Sequence, residues 1–372
     1  MDVILVLQGG GSLGAYECGV YQTLAPWLRK NRHKLSVVCG TSIGAMNASV
    51  IAAHHSDRDE GAGALYELWQ SLKAGSAYFF PPFEDLETAN AVWTSLLLGN
   101  PRMFRPTVPF WNFMPPVAWA PFSAFYDTTP IQETLGRFFK TLGPGRGDPR
   151  LILTAVDLRT ERVKVFDSYD TAITPRHVLA SCSLPPTFPA TELNGTSYWD
   201  GGLWSNTPIR DALNSIQENP GSPGPDACAD CLVFLVELFA PPKTDPGPIK
   251  GNWDVWARRD RIIFQDKSEY DAKVAGVYNA HIDFVRKARR LLDAIPASQQ
   301  LAVKQLADHI NGELGKLQQK RRLNLKIYPI PRYGNAADDV GREIDFSSPR
   351  IDMLIEQGRS DSESVINSIN LA

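Results

Sequence analysis

Two strand-turn-helix units stand one after the other in the first 55 residues, and each turns on glycine. Val3 to Leu7 is an unbroken β-branched and leucine run that ends at Gly9-Gly10-Gly11, and Ala15 to Leu28 follows with apolar residues at helical spacing. Leu35 to Cys39 repeats the pattern as a short apolar strand. The glycine-punctuated turn Gly40 to Gly44 comes next, then an apolar helix from Ala45 to Ala53. Strands that are apolar throughout, rather than in alternation, are buried on both faces. Consecutive βα units of this kind predict an α/β fold, a mainly parallel sheet covered by helices.

The sheet is expected to resume at Arg150 to Val156, Val163 to Phe166, Tyr198 to Gly202 and Cys231 to Phe239, with a Pro-Gly surface loop at Asn219 to Pro225. Residues 78–126 differ in character, because they interleave aromatic side chains such as Trp93, Phe104, Trp111, Phe113 and Phe125 with eight prolines. That composition fits neither a long helix nor a central strand. It predicts a cap or insertion over the sheet, or rings that pack its edge.

From residue 249 the chain turns helical and basic. Between Ala257 and Lys326 it carries fifteen Lys and Arg against eight Asp and Glu, either a solvated helix face or an attraction for an anionic surface. Amphipathic helices including Leu301 to Leu317, a strand at Leu325 to Ile330 and a last helix from Ser348-Pro349 to Gln357, stopped by Gly358, are expected. The division that follows is an α/β unit over 1–240 and a mostly helical extension over 249–372.

Charge and cysteine usage narrow the partners. A formal net charge of −3 argues against nucleic acid, whose binders carry strongly basic domains. Five scattered cysteines suit a reducing compartment, and the Cys228/Cys231 pair lacks the second ligand pair of a zinc site, so no metal or cofactor is expected. The run Leu232 to Val236 is broken by Glu237, far short of the roughly 18 apolar residues of a membrane span. These features predict a cytoplasmic protein that touches a membrane at most from one side; oligomeric state is not legible.

The chemistry gathers at three glycine-flanked positions. Gly40-Thr41-Ser42-Ile43-Gly44 is G-x-S-x-G between a strand and a helix, the context of a nucleophile elbow. Gly40 and Gly44 let strand and helix approach closely, and Ser42 is left at a helix N-terminus, where developing negative charge is favoured. Gly9-Gly10-Gly11-Ser12-Leu13-Gly14 reads either as a dinucleotide loop or as backbone donors for an oxyanion. The first reading needs an acid at the end of the second strand, where this chain has Ser42 instead. None of the six histidines sits at a glycine-flanked strand end; His54 and His55 lie about 15 Å or more along the helix from Ser42. Asp200-Gly201-Gly202, after the strand Ser197-Tyr198-Trp199, supplies the better base, although a carboxylate near its ordinary pKa of about 3.9 is a weak one.

With these three elements in this order the chain resembles the patatin-like phospholipase family. The similarity extends through Ala45-Met46-Asn47-Ala48, Tyr126-Asp127-Thr128-Thr129-Pro130, and Ala180-Ser181 to Phe188-Pro189, and covers roughly residues 1–240. The resemblance implies a three-layer α/β/α fold and a serine acyl hydrolase of lipid breakdown. In it Ser42 would be the nucleophile and Asp200 the dyad base. Gly9, Gly10, Gly11 and Gly14 would form the oxyanion loop, supported by Gly40, Gly44, Gly201 and Gly202, and the substrate would be a lipid or acyl ester. One departure is Leu13, where the family often carries Arg or Lys, which removes a contact for an anionic head group. The competing classes are a nucleotide-binding enzyme that uses the glycine loop, and a non-catalytic scaffold that binds a membrane or partner through the basic helices.

Overall fold

A computed structural model describes residues 1–55, 58–75, 77, 79, 87–107, 124–145, 149–217, 228–243, 245, 247–249, 252–265, 268–295, 304–317, 322–334 and 342–370. The chain opens with β1 (Asp2–Leu7), α1 (Gly14–Lys30), β2 (Lys34–Gly40) and α2 (Ile43–Ala53), the two expected βα units. Next come α3 (Arg58–Leu72), α4 (Glu87–Leu98), the short strands β3 (Arg105–Pro106) and β4 (Tyr126–Asp127), and α5 (Thr129–Phe138). Two hairpins follow, β5 (Arg150–Asp157) with β6 (Arg162–Asp167) and, after α6 (Pro175–Ser181), β7 (Thr191–Leu193) with β8 (Thr196–Asp200). Then α7 (Ile209–Gln217) leads to β9 (Cys228–Glu237), and the remainder supplies α8 (Asn252–Phe264), α9 (Ser268–Asp293), α10 (Lys304–Leu317), β10 (Arg322–Pro331) and α11 (Ser348–Asn370).

In the main sheet β10, β9, β1, β2 and β5 lie side by side and parallel, while β6 and β8 join β5 antiparallel and β7 pairs with β8. Alternation along β1 shows why both faces must be covered. Val3, Leu5 and Leu7 enter a large apolar cluster with side chains of α1, α2 and α3, whereas Ile4 and Val6 enter a second cluster with Ile209 and Ala212 of α7. Successive strand residues point to opposite faces, so a strand with no polar alternate demands helices on both sides, and the layering is α/β/α. Helix α2 is buried along nearly its whole length, as a helix apolar on every side must be.

Strand pairing brings the ends of two distant strands together. β6 pairs with residues 152–157 of β5, overlapping the contacts of both β2 (150–153) and β8 (155–157). Because a strand has only two edges, β2 and β8 share the edge opposite β6. Gly40 faces Leu153 and Asp200 faces Ala155, so the two C-terminal ends converge on Thr154.

Two expectations need amendment. Gly358 does not stop the last helix, which runs on to Asn370. A Cβ on Gly358 would lie 2.1 Å from the Tyr16 carbonyl oxygen and one on Gly19 would lie 1.9 Å from that of Ile355, so these glycines are where α11 crosses α1. Close helix packing there outweighs the roughly 1 kcal/mol propensity cost of glycine. Within 78–126 the proline-free stretch forms α4, and Phe104 is buried with its ring against Tyr126, Phe188 and Phe346. Trp111, Phe113 and the rest of 108–123 lie outside the described residues, as does the Asn219 to Pro225 loop. In the stretch 249–372, β10 covers the strand read at Leu325 to Ile330 and extends the main sheet beside β9, and α11 packs on α1. Among the described residues no helix is long and apolar enough to cross a membrane.

Candidate active site

Ser42 occupies the sharp turn between β2 and α2 with φ 55° and ψ −124°, a conformation that L-residues adopt only under constraint. The constraint comes from its flanks. A Cβ on Gly40 would fall 2.2 Å from the Gly44 carbonyl oxygen, and one on Gly44 would fall 2.5 Å from that of Leu7. The Ser42 backbone is held from α6: its N–H donates to Ser181 Oγ at 3.0 Å, and its carbonyl accepts from Cys182 Sγ at 3.1 Å. The hydroxyl therefore remains at the start of α2, on the positive end of the helix dipole.

The Ser42 hydroxyl faces the carboxylate of Asp200, the last residue of β8, and favours its charged form. Asp200 is 1% exposed, and its Oδ1 also accepts from the Gly202 N–H at 2.7 Å. Burial pushes its pKa up to about 7, the Ser42 hydroxyl and the Gly202 N–H offsetting only part of the desolvation. This corrects the picture of a carboxylate near its ordinary value: the group is matched to neutral pH. Gly201 is required by the convergence on β5, since a Cβ there would lie 2.5 Å from the Thr154 carbonyl oxygen. Thr154 Oγ1 also lies 2.7 Å from Thr41 Oγ1, which ties the elbow to the same point.

The glycine loop passes directly beside Ser42. A Cβ on Gly9 would sit 2.9 Å from the Ser42 Cβ. The Gly9 carbonyl accepts from Asn206 Nδ2 at 2.9 Å, while among the described residues no acceptor is hydrogen-bonded to the amides of Gly10 and Gly11. Gly11 has φ +56°. Gly14 serves differently, letting α1 approach Ile43 and Trp69, which a Cβ would meet at 2.7 and 2.9 Å. Leu13 is buried in the main core.

Gly9, Gly10, Gly11, Ser42, Asp200 and Gly202 line one cavity of about 300 Å³. Gly14, Gly40, Gly44 and Gly201 stand behind it and set the backbone spacing. The cavity walls are largely apolar, including Leu96, Phe104, Tyr126, Phe188 and Phe264, and among the described residues no Lys, Arg or His lines it. His54 instead bonds the Phe138 carbonyl, and His177 forms a capping box with Thr174.

Residues 5–213 match the family model for patatin-like phospholipase. The chain belongs to that family. All ten glycine, serine and aspartate positions named above fall within the match. No curated protein matches the chain. The crystal structure of VipD from Legionella pneumophila overlaps 99% of this chain at 11% identity and a TM-score of 0.34. This chain spans 66% of that one, just under two thirds of its length, and likeness at that score carries no structural argument.

Several residues of this patatin-like site carry no motif that marks them in the sequence. Gln8 directly follows β1 and is fully buried; its Oε1 accepts from the amides of Leu238 and Phe239, and its Nε2 donates to Thr207 Oγ1 and the Phe264 carbonyl. Asn206 holds Gly9 and also donates to Phe264 O at 3.3 Å. The available signal is a polar residue closing a buried strand in one case and the polar turn after Asp200 in the other. Behind the elbow, buried Asn47 joins the Gly14 carbonyl, Glu17 and the Trp69 indole N–H, and burial holds the Glu17 carboxyl well above its usual range.

Proposed function

We propose that this member of a lipid acyl hydrolase family cleaves acyl esters through a Ser42-Asp200 dyad, with the amides of Gly10 and Gly11 as oxyanion donors. The observation that carries the reading is the meeting of the Ser42 hydroxyl with a buried carboxylate, beside loop amides that have no hydrogen-bond acceptor among the described residues, at the wall of a largely apolar cavity. Ser42 Oγ attacks the ester carbonyl carbon as its proton passes to Asp200. The carbonyl oxygen, now negative, is received by the loop N–H groups, each worth about 2.7–4 kcal/mol in such sites. Collapse expels the alcohol, which takes the proton back from Asp200, and water then releases the acid from Ser42 by the same steps.

A buried base with a pKa of about 7 suits proton transfer at neutral pH better than a free aspartate would. The carboxylate therefore needs no histidine between it and the serine. The dinucleotide reading finds less support, because β2 leads into the Ser42 turn and not into the acidic residue that a ribose hydroxyl would need.

Turnover of p-nitrophenyl esters by Ser42→Ala and Asp200→Asn proteins that retain wild-type circular dichroism tests the proposal. Loss of activity in both is expected; substantial turnover by Ser42→Ala would refute it.

A further inference from the structure

Part of the cavity wall lies beyond the family match: Phe239, Phe264, Glu343, Ile344 and Phe346 all line it. The turn carrying the last three is seated on the glycine loop, for the Glu343 carbonyl oxygen occupies the space a Gly11 Cβ would need. Its far side is anchored as well. The Phe346 carbonyl accepts from the Ala74 N–H at 2.8 Å, just past α3, and the buried Asp345 accepts from the Ser347 N–H at 2.9 Å. Phe346 is itself buried, edge-on to Phe104 at 6.2 Å. Ile344 is different: it faces the cavity while only half-buried, so its volume can change with little effect on the core.

We propose that the 343–346 turn is the acyl-specificity wall of the cavity, and that Ile344 sets the length of chain the cavity admits. This rests on the acyl-ester reading above and adds a selectivity that the dyad alone does not supply. The cavity is finite, at about 300 Å³, and apolar around Ile344, so each further methylene of a bound chain is stabilised until the chain meets the turn. The gain is about fourfold in affinity per methylene, from about 0.8 kcal/mol per buried CH₂. The charged groups described in the lining are the carboxyls of Asp200 and Glu343, which suits an uncharged chain and disfavours an anionic group at the same place.

The test uses the full-length protein and measures binding apart from turnover. Straight-chain methyl ketones from short to long, neutral mimics of the ester that cannot be hydrolysed, displace Nile red from the wild type and from Ile344→Trp, Ile344→Phe and Ile344→Ala proteins. Wild-type affinity rises with length to a plateau. Ile344→Trp and Ile344→Phe bring the plateau to shorter chains, costing the longest ketones about fifteenfold, two methylenes' worth, while the shortest change less than about twofold. Ile344→Ala moves the plateau to longer chains. A length profile unchanged in all three variants, or an equal loss at every length, overturns the assignment. If the profile shifts as described but no p-nitrophenyl ester is turned over, the wall stands and the hydrolase reading falls.

Discussion

Gly40 and Asp200, the last residues of β2 and β8, lie head to head along one edge of β5, opposite Leu153 and Ala155. The sheet itself, rather than a mobile loop, thus brings the Ser42 turn to the carboxylate. Rigid elements hold reacting groups more accurately than loops do. The proposed dyad is pinned at Thr154, whose hydroxyl reaches Thr41 and whose carbonyl leaves room only for a glycine at 201.

The first prediction concerns pH. Asp200 must be ionised to accept the Ser42 proton, and its pKa is pushed up to about 7 by burial. kcat/KM for a neutral ester should therefore fall about tenfold per pH unit below about 7, with one ionisation. His177→Ala should leave that limb in place, since His177 is engaged in capping α6. A pH-rate profile whose acid limb lies near 4 would show that the carboxylate is solvated during catalysis.

Stability should show the same burial with its sign reversed. The folded-state pKa of Asp200 is above the unfolded value, so the folded state holds a proton that the unfolded chain releases. The contribution of this group is complete below about pH 4 and is lost as pH rises toward 7. Asp200→Asn removes the titration. Denaturant melts should find the variant more stable than wild type at pH 8 by a few kcal/mol at most, with a smaller difference at pH 4.

Asn206 acts through the loop and touches no reacting atom in the proposed chemistry. Its Nδ2 holds the Gly9 carbonyl beside Ser42, and a displacement of about 1 Å in a donor can cost about a hundredfold in rate. Asn206→Ala should lower kcat by about ten- to a hundredfold and leave KM within about threefold. Steady-state kinetics on one soluble ester separates this from a binding defect, which would appear in KM.

Two glycines in helices should respond to alanine with opposite signs. Gly312 of α10 has open space where a Cβ would be, so Gly312→Ala should stabilise by up to about 1 kcal/mol. Gly358→Ala drives a methyl into the Tyr16 carbonyl and should destabilise by about 1–3 kcal/mol or more. Melting temperatures of the two proteins check the pair; equal shifts would mean that α11 does not cross α1 at this contact.

Much of the frame is written in local residue patterns. The apolar runs at Val3 to Leu7 and Leu35 to Cys39 have no polar alternates, and that pattern compels a two-faced parallel sheet. Ser42, Asp200 and the glycines stand out because tight turns leave a residue signature. What such patterns cannot carry is long-range. Gly358 reads as a helix stop until the Tyr16 carbonyl is seen against it, and Gln8 reads as the end of a strand until four partners converge on it. The basicity of Asp200 is likewise hidden in the sequence, because it depends on removal from water by neighbours distant along the chain.

Activation of the Ser42 hydroxyl by Asp200 is the claim on which the account stands. Its most direct measurement is the rate and site of fluorophosphonate labelling of the full-length protein at pH 8, read by peptide mass spectrometry. The account predicts modification at Ser42, none at that peptide in Ser42→Ala, and a rate at least about a hundredfold slower in Asp200→Asn. Labelling of a different serine, or an undiminished rate in a folded Asp200→Asn protein, would contradict it.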